Sequence, residues 1–212
     1  MKQTVKNIIL NKEKTIPILS FPSAQLLGIT VKELLESPEM QVRGMKAIAD
    51  RCTIGASLNM MDLSVEAEAF GAEIVYYDQD VPTVRKGIID NIFDAVNDND
   101  FVICYHNCGD AVKDMAKDIS TLGADIYHFG NAISLKDIIP LMPKDALVMG
   151  NIDPVLFTTS TPEKIKESVK ALYEECKAYP NFMISSGCDI PAMARWENID
   201  VYFEKVKEIY SE

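Results

Sequence analysis

The chain has 212 residues, 48% hydrophobic and 25% charged, enough apolar material for the core of one globular domain spanning residues 1–212. A formal net charge of −11 repels phosphate backbones and anionic lipid surfaces, which argues against nucleic acid and membranes as partners. No stretch approaches the roughly eighteen uninterrupted apolar residues of a spanning helix, and the opening MKQTVKNIILNKEK returns to charge too soon for a secretory signal, so the expected compartment is cytoplasmic.

In chain order, residues 1–12 read as an amphipathic helix and 16–21 (IPILSF) as a short buried strand stopped by Pro22. Thr30 with Glu33 three residues on carries a capping-box signature, so a helix starts there. Residues 38–51 predict a helix whose apolar stripe is Met40, Val42, Met45, Ile48 and Ala49. Residues 53–60 are a weaker strand candidate, 63–70 a helix closed by Gly71, and 73–77 a strand. From residue 84 the alternation is regular: helix 84–97, strand 101–106, helix 110–121, strand 124–129, helix 135–141, strand 146–150, helix 162–178, strand 181–186 and helix 196–210. The strand segments FVICYH, ADIYHF, ALVMG and NFMISS are apolar almost throughout, as a parallel sheet covered on both faces requires. The expected fold class is therefore α/β, a TIM-barrel-like (β/α) fold shortened to about six of the usual eight strands.

In parallel βα folds functional groups gather where strands end and loops begin. The ends here read YHNCGD, HFGN, GNIDP and SSGCDIP. His106 and Cys108, separated by one residue on an extended segment, point the same way, and Cys188 closes the last strand. One imidazole and two thiolates are a natural donor set for Zn²⁺, and three protein ligands leave the fourth position open, as in a catalytic site. Spacing alone is equally compatible with ordinary barrel packing of the three side chains. Five cysteines, at 52, 104, 108, 176 and 188, are an odd, irregular set that argues against a disulfide framework. Cys52 and Cys176 read as packing, and Cys104 as core packing or a surrogate thiol.

Five motifs in order, VEAEAFGAE (65–73), YHNCGD (105–110), GADIYHFGNA (123–132), MGNIDP (149–154) and ISSGCDIP (184–191), followed by WENID (196–200), resemble the uroporphyrinogen decarboxylase and cobalamin-dependent methyltransferase superfamily. The resemblance runs through nearly all of the chain. The HxC and late GC motifs are similar to the zinc site of the methylcobalamin:coenzyme M methyltransferase branch, which implies His106, Cys108 and Cys188 as metal ligands. It also implies zinc, a methylated corrinoid as donor, a corrinoid protein as partner and a small thiol as acceptor. The decarboxylase branch carries an arginine-rich segment after the first strand to grip substrate carboxylates. Here that stretch is FPSAQLLG, and Arg43, Arg51, Arg85 and Arg195 all lie elsewhere, which argues against porphyrinogen decarboxylation.

Around the proposed centre, His128 and Asn151 are assigned to the cofactor surroundings, with a core histidine as the other reading of His128. Asp153 is a candidate to orient a ligand imidazole or accept a proton from the thiol; the alternative is a turn aspartate ahead of Pro154. Of Glu66 and Glu68, two apart on a predicted helix, Glu66 is the catalytic candidate. Asp110 reads as a helix cap, Asn198 as an early-turn hydrogen bonder and the ten methionines as core fillers. The resemblance also marks a departure: between Val84 and Phe101 related chains carry a long additional stretch with two barrel strands. A remnant lacking them leaves two parallel edges, which makes a homo-oligomer an expected partner arrangement. A non-catalytic zinc- or corrinoid-binding paralogue is the alternative function, and a decarboxylase-like lyase the third.

Overall fold

The computed structural model describes residues 14–56, 102–110 and 112–211, together with the backbone of 74–75 and 83–84. The elements expected at 1–12 and 63–70, most of 84–97, and Glu66, Glu68, Met60 and Met61 lie outside the described residues.

Among the described residues three helices come first: α1 Ser23–Leu27, α2 Val31–Glu36 and α3 Pro38–Arg51. Thr30 caps α2 as expected, its hydroxyl accepting from Glu33 N while the Glu33 carboxylate accepts from Thr30 N. Ser37 caps α3, with Pro38 in the first turn where its missing N–H costs nothing. The buried face of α3 centres on Gly44 and Ile48, whereas Val42 is 52% exposed and Ala49 is also on the solvent side, so the predicted stripe is corrected by part of a turn. Gly44 sets that face because it has no side chain: a Cβ there would lie 2.5 Å from Ser23 Oγ of α1.

Two short strands, β1 Ile74–Val75 and β2 Thr83–Val84, pair antiparallel, so Val84 is a strand residue and not a helix start. The regular part follows as β3 Cys104–Asn107, α4 Val112–Ile119, β4 Ile126–Phe129, α5 Leu135–Ile138 with a 3₁₀ turn Ile139–Leu141, and β5 Leu147–Ile152. It closes with the unexpected short α6 Leu156–Thr159, α7 Pro162–Cys176, β6 Phe182–Ser186 and α8 Trp196–Tyr210. Strands β3 to β6 form one parallel sheet in chain order. The register sets His106 beside His128, His128 beside Met149 and Met149 beside Met183.

The expected strand at 16–21 takes a different form. Only Thr15 makes a ladder contact, a parallel bridge to Ile54, and this is all that the described part of 53–60 contributes. Residues 15–20 instead run beside β6 through side chains: Thr15 Oγ1 donates to Ile184 O at 2.7 Å, Ser185 Oγ to Ile16 O at 2.9 Å, and Ile18 N to Ser186 Oγ at 3.2 Å. Hydroxyls thus do at the barrel seam what backbone groups do within the sheet.

The two faces of the sheet bury separate clusters. Ile126, Leu147, Met149 and Met183 meet Ile16 on the inner face, with Val102 and Cys104 against them. On the outer face Tyr127, Phe129, Val148 and Ile184 pack under the helices with Ile165, Val169, Phe157 and Tyr202. Each such fully buried large side chain contributes about 1.5–3 kcal/mol. Cys176, at the end of α7, and Cys52, just after α3, belong to this cluster, as the sequence suggested.

Burial pushes the thiols of Cys52 and Cys176 up to about 11. An unfolded thiol titrates near about 8.5. A folded value above the unfolded one gives stability that is fully present below the unfolded value and lost as pH rises through the folded one. Stability of the metal-free protein should therefore fall between about pH 8.5 and 11. Denaturant midpoints across that window test this, and Cys52→Ala with Cys176→Ala should flatten the decline; an unchanged slope contradicts the assignment.

Candidate metal centre

The C-terminal ends of β3 and β6 carry the three candidate ligands. At β3, Asn107 makes a turn with its own side chain: Oδ1 accepts from Gly109 N at 2.8 Å and Nδ2 donates to Tyr105 Oη at 2.9 Å. Cys108 sits exposed at the tip of this turn. Gly130 N donates to Asn107 O at 3.0 Å, drawing the loop after β4 against the same turn. A Cβ at Gly130 would stand 2.7 Å from Cys108 Cα, so only glycine permits this approach.

At β6, the chain beyond Cys188 is pinned to the seam. Ser20 N donates to Asp189 Oδ1 at 3.3 Å, and Ile190 N to Ile18 O at 3.1 Å. Burial raises the Asp189 carboxyl to about 7, against the pull of the nearby Ser20, Phe21 and Ile190 groups. Asp189 was missed by the sequence reading; its one signal is its place after Cys188 in GCDIP, where it passes for a turn residue.

The ligand atoms of His106, Cys108 and Cys188 all lie within 4.8 Å of one another. His106 Nε2 is 3.6 Å from Cys188 Sγ. In a tetrahedral zinc site with bonds of about 2.0–2.1 Å to nitrogen and 2.3 Å to sulfur, those two donors stand about 3.6 Å apart. The His106–Cys188 edge therefore already has ligation spacing, and the exposed Cys108 needs only a small adjustment of its turn. Burial lowers the His106 pKa, slightly opposed by the backbone of His128, so the imidazole is neutral with a lone pair to offer. Burial pushes the Cys188 thiol up to about 11, so binding a cation there must displace a proton. Donor types and spacing together fit zinc.

His128 is 0% exposed, with Nε2 2.6 Å from Ser186 O and its ring stacked on His106 at 4.6 Å between centroids and 28° between planes. Its burial, then the neighbouring His106, lower its pKa to about 3. Asn151 braces the loop after β4, its Nδ2 donating to Gly130 O at 3.1 Å and Ile133 O at 2.7 Å. Asp153 Oδ1 accepts from Val155 N at 2.9 Å, which is the turn role. It does not orient His106, whose Nδ1 has no hydrogen-bond partner among the described residues. Cys104 packs in the inner cluster, and burial pushes its thiol up to about 12, the packing role. Asp110 is exposed ahead of α4. Asn198 is more than an early-turn hydrogen bonder: fully buried, its Nδ2 donates to Phe157 O at 3.1 Å and Ser160 O at 3.0 Å, locking α8 to α6. The described arginines are committed elsewhere, Arg51 to Asp200 and the Trp196 ring, Arg195 to Glu197 and Arg43 to Met40.

Among curated proteins none matches the chain. A solved structure, a methyltransferase from Methanosarcina mazei, shares the fold with a TM-score of 0.73 at 14% identity, the alignment covering 99% of each chain. Residues 88–209 match the family model described as uroporphyrinogen decarboxylase (URO-D), a span that contains all four parallel strands and all three candidate ligands. The chain belongs to the uroporphyrinogen decarboxylase family.

Proposed function

We propose that the chain is a methyltransferase that uses a zinc ion held by His106, Cys108 and Cys188 to move a methyl group from a methylated corrinoid, carried on a partner protein, to a small thiol acceptor. The observation that carries this reading is the convergence of the three donor atoms within 4.8 Å, with the His106–Cys188 pair at 3.6 Å. Three protein donors leave one tetrahedral position for a substrate. When bound, zinc supplies Lewis acidity that brings a thiol's pKa toward neutrality. The chain's own residues do the rest. His106 would offer Nε2 and Cys108 and Cys188 their sulfurs, the buried Cys188 thiol giving up its proton on binding. Half-burial of Cys188 limits water on one side of the centre, and Asn151 keeps the loop after β4 against the Cys108 turn. Asp153, just past β5 at the same end of the sheet, is the proposed acceptor of the substrate thiol's proton, with Glu66 as the second candidate carboxylate. The motif resemblance and the fold shared with a methyltransferase support methyl transfer.

The second reading is a non-catalytic zinc- or corrinoid-binding relative, favoured by the short run from Val84 to Phe101 in this chain. Elemental analysis of wild type, Cys108→Ser and Cys188→Ser, with methylcobalamin demethylation followed against several thiols, separates the two. Wild type should hold one zinc and demethylate methylcobalamin, and each serine variant should lose both. Zinc near zero in wild type sinks the metal centre; zinc without product under every thiol supports the second reading.

The Gly130 contact gives an independent check. In Gly130→Ala the new Cβ meets backbone of Cys108, so stability should drop by about 1–3 kcal/mol and zinc affinity should drop with it. Gly123→Ala is the control. Gly123 has φ +74° and nothing within 4 Å of an added Cβ. It should cost about 1–2 kcal/mol of backbone strain and leave zinc affinity unchanged. Equal zinc affinities in the two variants would disprove the link between Gly130 and the ligand turn.

A further inference from the structure

Metal-bound histidines ordinarily donate their second ring N–H to a carboxylate or carbonyl, which fixes tautomer and ring orientation. His106 departs from this: its Nδ1 is buried without a hydrogen-bond partner among the described residues, and the Asp153 carboxylate is turned into its own loop. The contacts on the ring come from His128, whose face is stacked at 4.6 Å and 28° and whose backbone lies beside the imidazole. His128 is itself fixed at its tip. Ser186 O can only accept, so at 2.6 Å the His128 Nε2 carries the proton and Nδ1 the lone pair. Ser186 is the last residue of β6, two before Cys188. One side chain thus touches the ring of the first ligand and the strand end that delivers the third.

We infer that His128 is a positioning residue for the metal centre: its stacked ring holds the His106 imidazole with Nε2 toward Cys188, and its bond to Ser186 O locks that orientation to the end of β6. This rests on the zinc reading above. Among the described residues His128 makes no hydrogen bond to either sulfur, so it acts through His106 and the strand.

The chain contains two histidines, so its imidazole nitrogens can be observed without ambiguity. In the untagged, ¹⁵N-histidine-labelled full chain, long-range ¹H–¹⁵N spectra should show His128 as the Nε2–H tautomer before and after Zn²⁺, and a Zn²⁺-dependent shift of His106 Nε2. Competition titrations with Zn²⁺ should show His128→Phe, which keeps a ring and loses the donor, binding about 10–100-fold more weakly than wild type. His128→Gln keeps an amide donor for Ser186 O and should recover part of that loss. The absorption bands of the Co²⁺-loaded variants should shift from those of wild type, which a change confined to stability would not produce. If His106 ignores Zn²⁺, the metal centre fails and the positioning role falls with it. If His106 responds while His128 is the Nδ1–H tautomer, or while the variants match wild type in affinity and Co²⁺ spectrum, the role of His128 is overturned and the metal centre stands. Should a variant fail to fold, the wild-type tautomers still decide.

Discussion

The centre depends on curvature. His106 and Cys188 are 82 residues apart in sequence, His106 on one edge strand of the four-stranded sheet and Cys188 two residues past the end of the other, yet their donor atoms are 3.6 Å apart. Neighbouring strands lie about 4.8 Å apart, so three steps across a flat sheet would separate those edges by about 14 Å. The sheet must therefore bend round its inner face as a barrel does, and whatever maintains the bend maintains the donor spacing. The seam at residues 15–20 does this from outside the sheet. Thr15, Ile16 and Ile18 are bonded to β6, and Ser20 holds Asp189 beside Cys188. The Thr15 hydroxyl also meets Tyr202 Oη at 2.9 Å, tying α8 to the same junction.

That end of the barrel is costly to build. Of the buried polar side-chain atoms without a partner among the described residues, Ser20 Oγ, His106 Nδ1, His128 Nδ1 and Asp189 Oδ2 all belong to the ligands or their immediate supports, and Asn198 Oδ1 is the exception. An unsatisfied buried polar group costs about 1–3 kcal/mol. A chain selected for stability alone would fill such positions with apolar side chains, as Met149 and Met183 do in the same register row as the two histidines. Their concentration at one strand end is the pattern expected where function outweighs packing.

The legible part of the fold is the part governed by local rules. From β3 onward, apolar runs bounded by glycine, proline and capping residues mark the βα units to within a few residues, because the sheet is buried on both faces and burial is written directly into composition. The first strand was less legible, since its bonds to β6 run through side-chain hydroxyls, its own Thr15 and the distant Ser185, across 169 positions. The α3 stripe was misplaced because hydrophobic spacing cannot say that a glycine will be the buried contact. At the site, the two-residue period of a strand set His106 and Cys108 on one side, and Cys188 came from its place closing the last strand, with the motif resemblance added to it. The supports were not readable in this way. Asp189 and Asn198 are fully or almost fully buried polar residues, and nothing in their neighbours along the chain announces a partner across the barrel.

Family membership and local chemistry point in different directions on one matter, and the side chains decide it. Binding a substrate with several carboxylates requires cationic forks, and guanidinium groups are the usual means because they meet carboxylates two bonds at a time. Residues 21–28 supply none. The described arginines are spent on Asp200, Glu197 and Met40, two of them in surface ion pairs of the kind that add about 0–1 kcal/mol of stability. What converges at the strand ends is the opposite: a neutral imidazole and two thiols, electron-rich donors that gain by meeting a soft cation and offer an anion nothing. A scaffold shared with decarboxylases therefore carries, in this chain, an end whose donor groups suit a metal and whose lack of cationic forks does not suit a substrate with several carboxylates, which is the physical support for the proposed group transfer over loss of carbon dioxide.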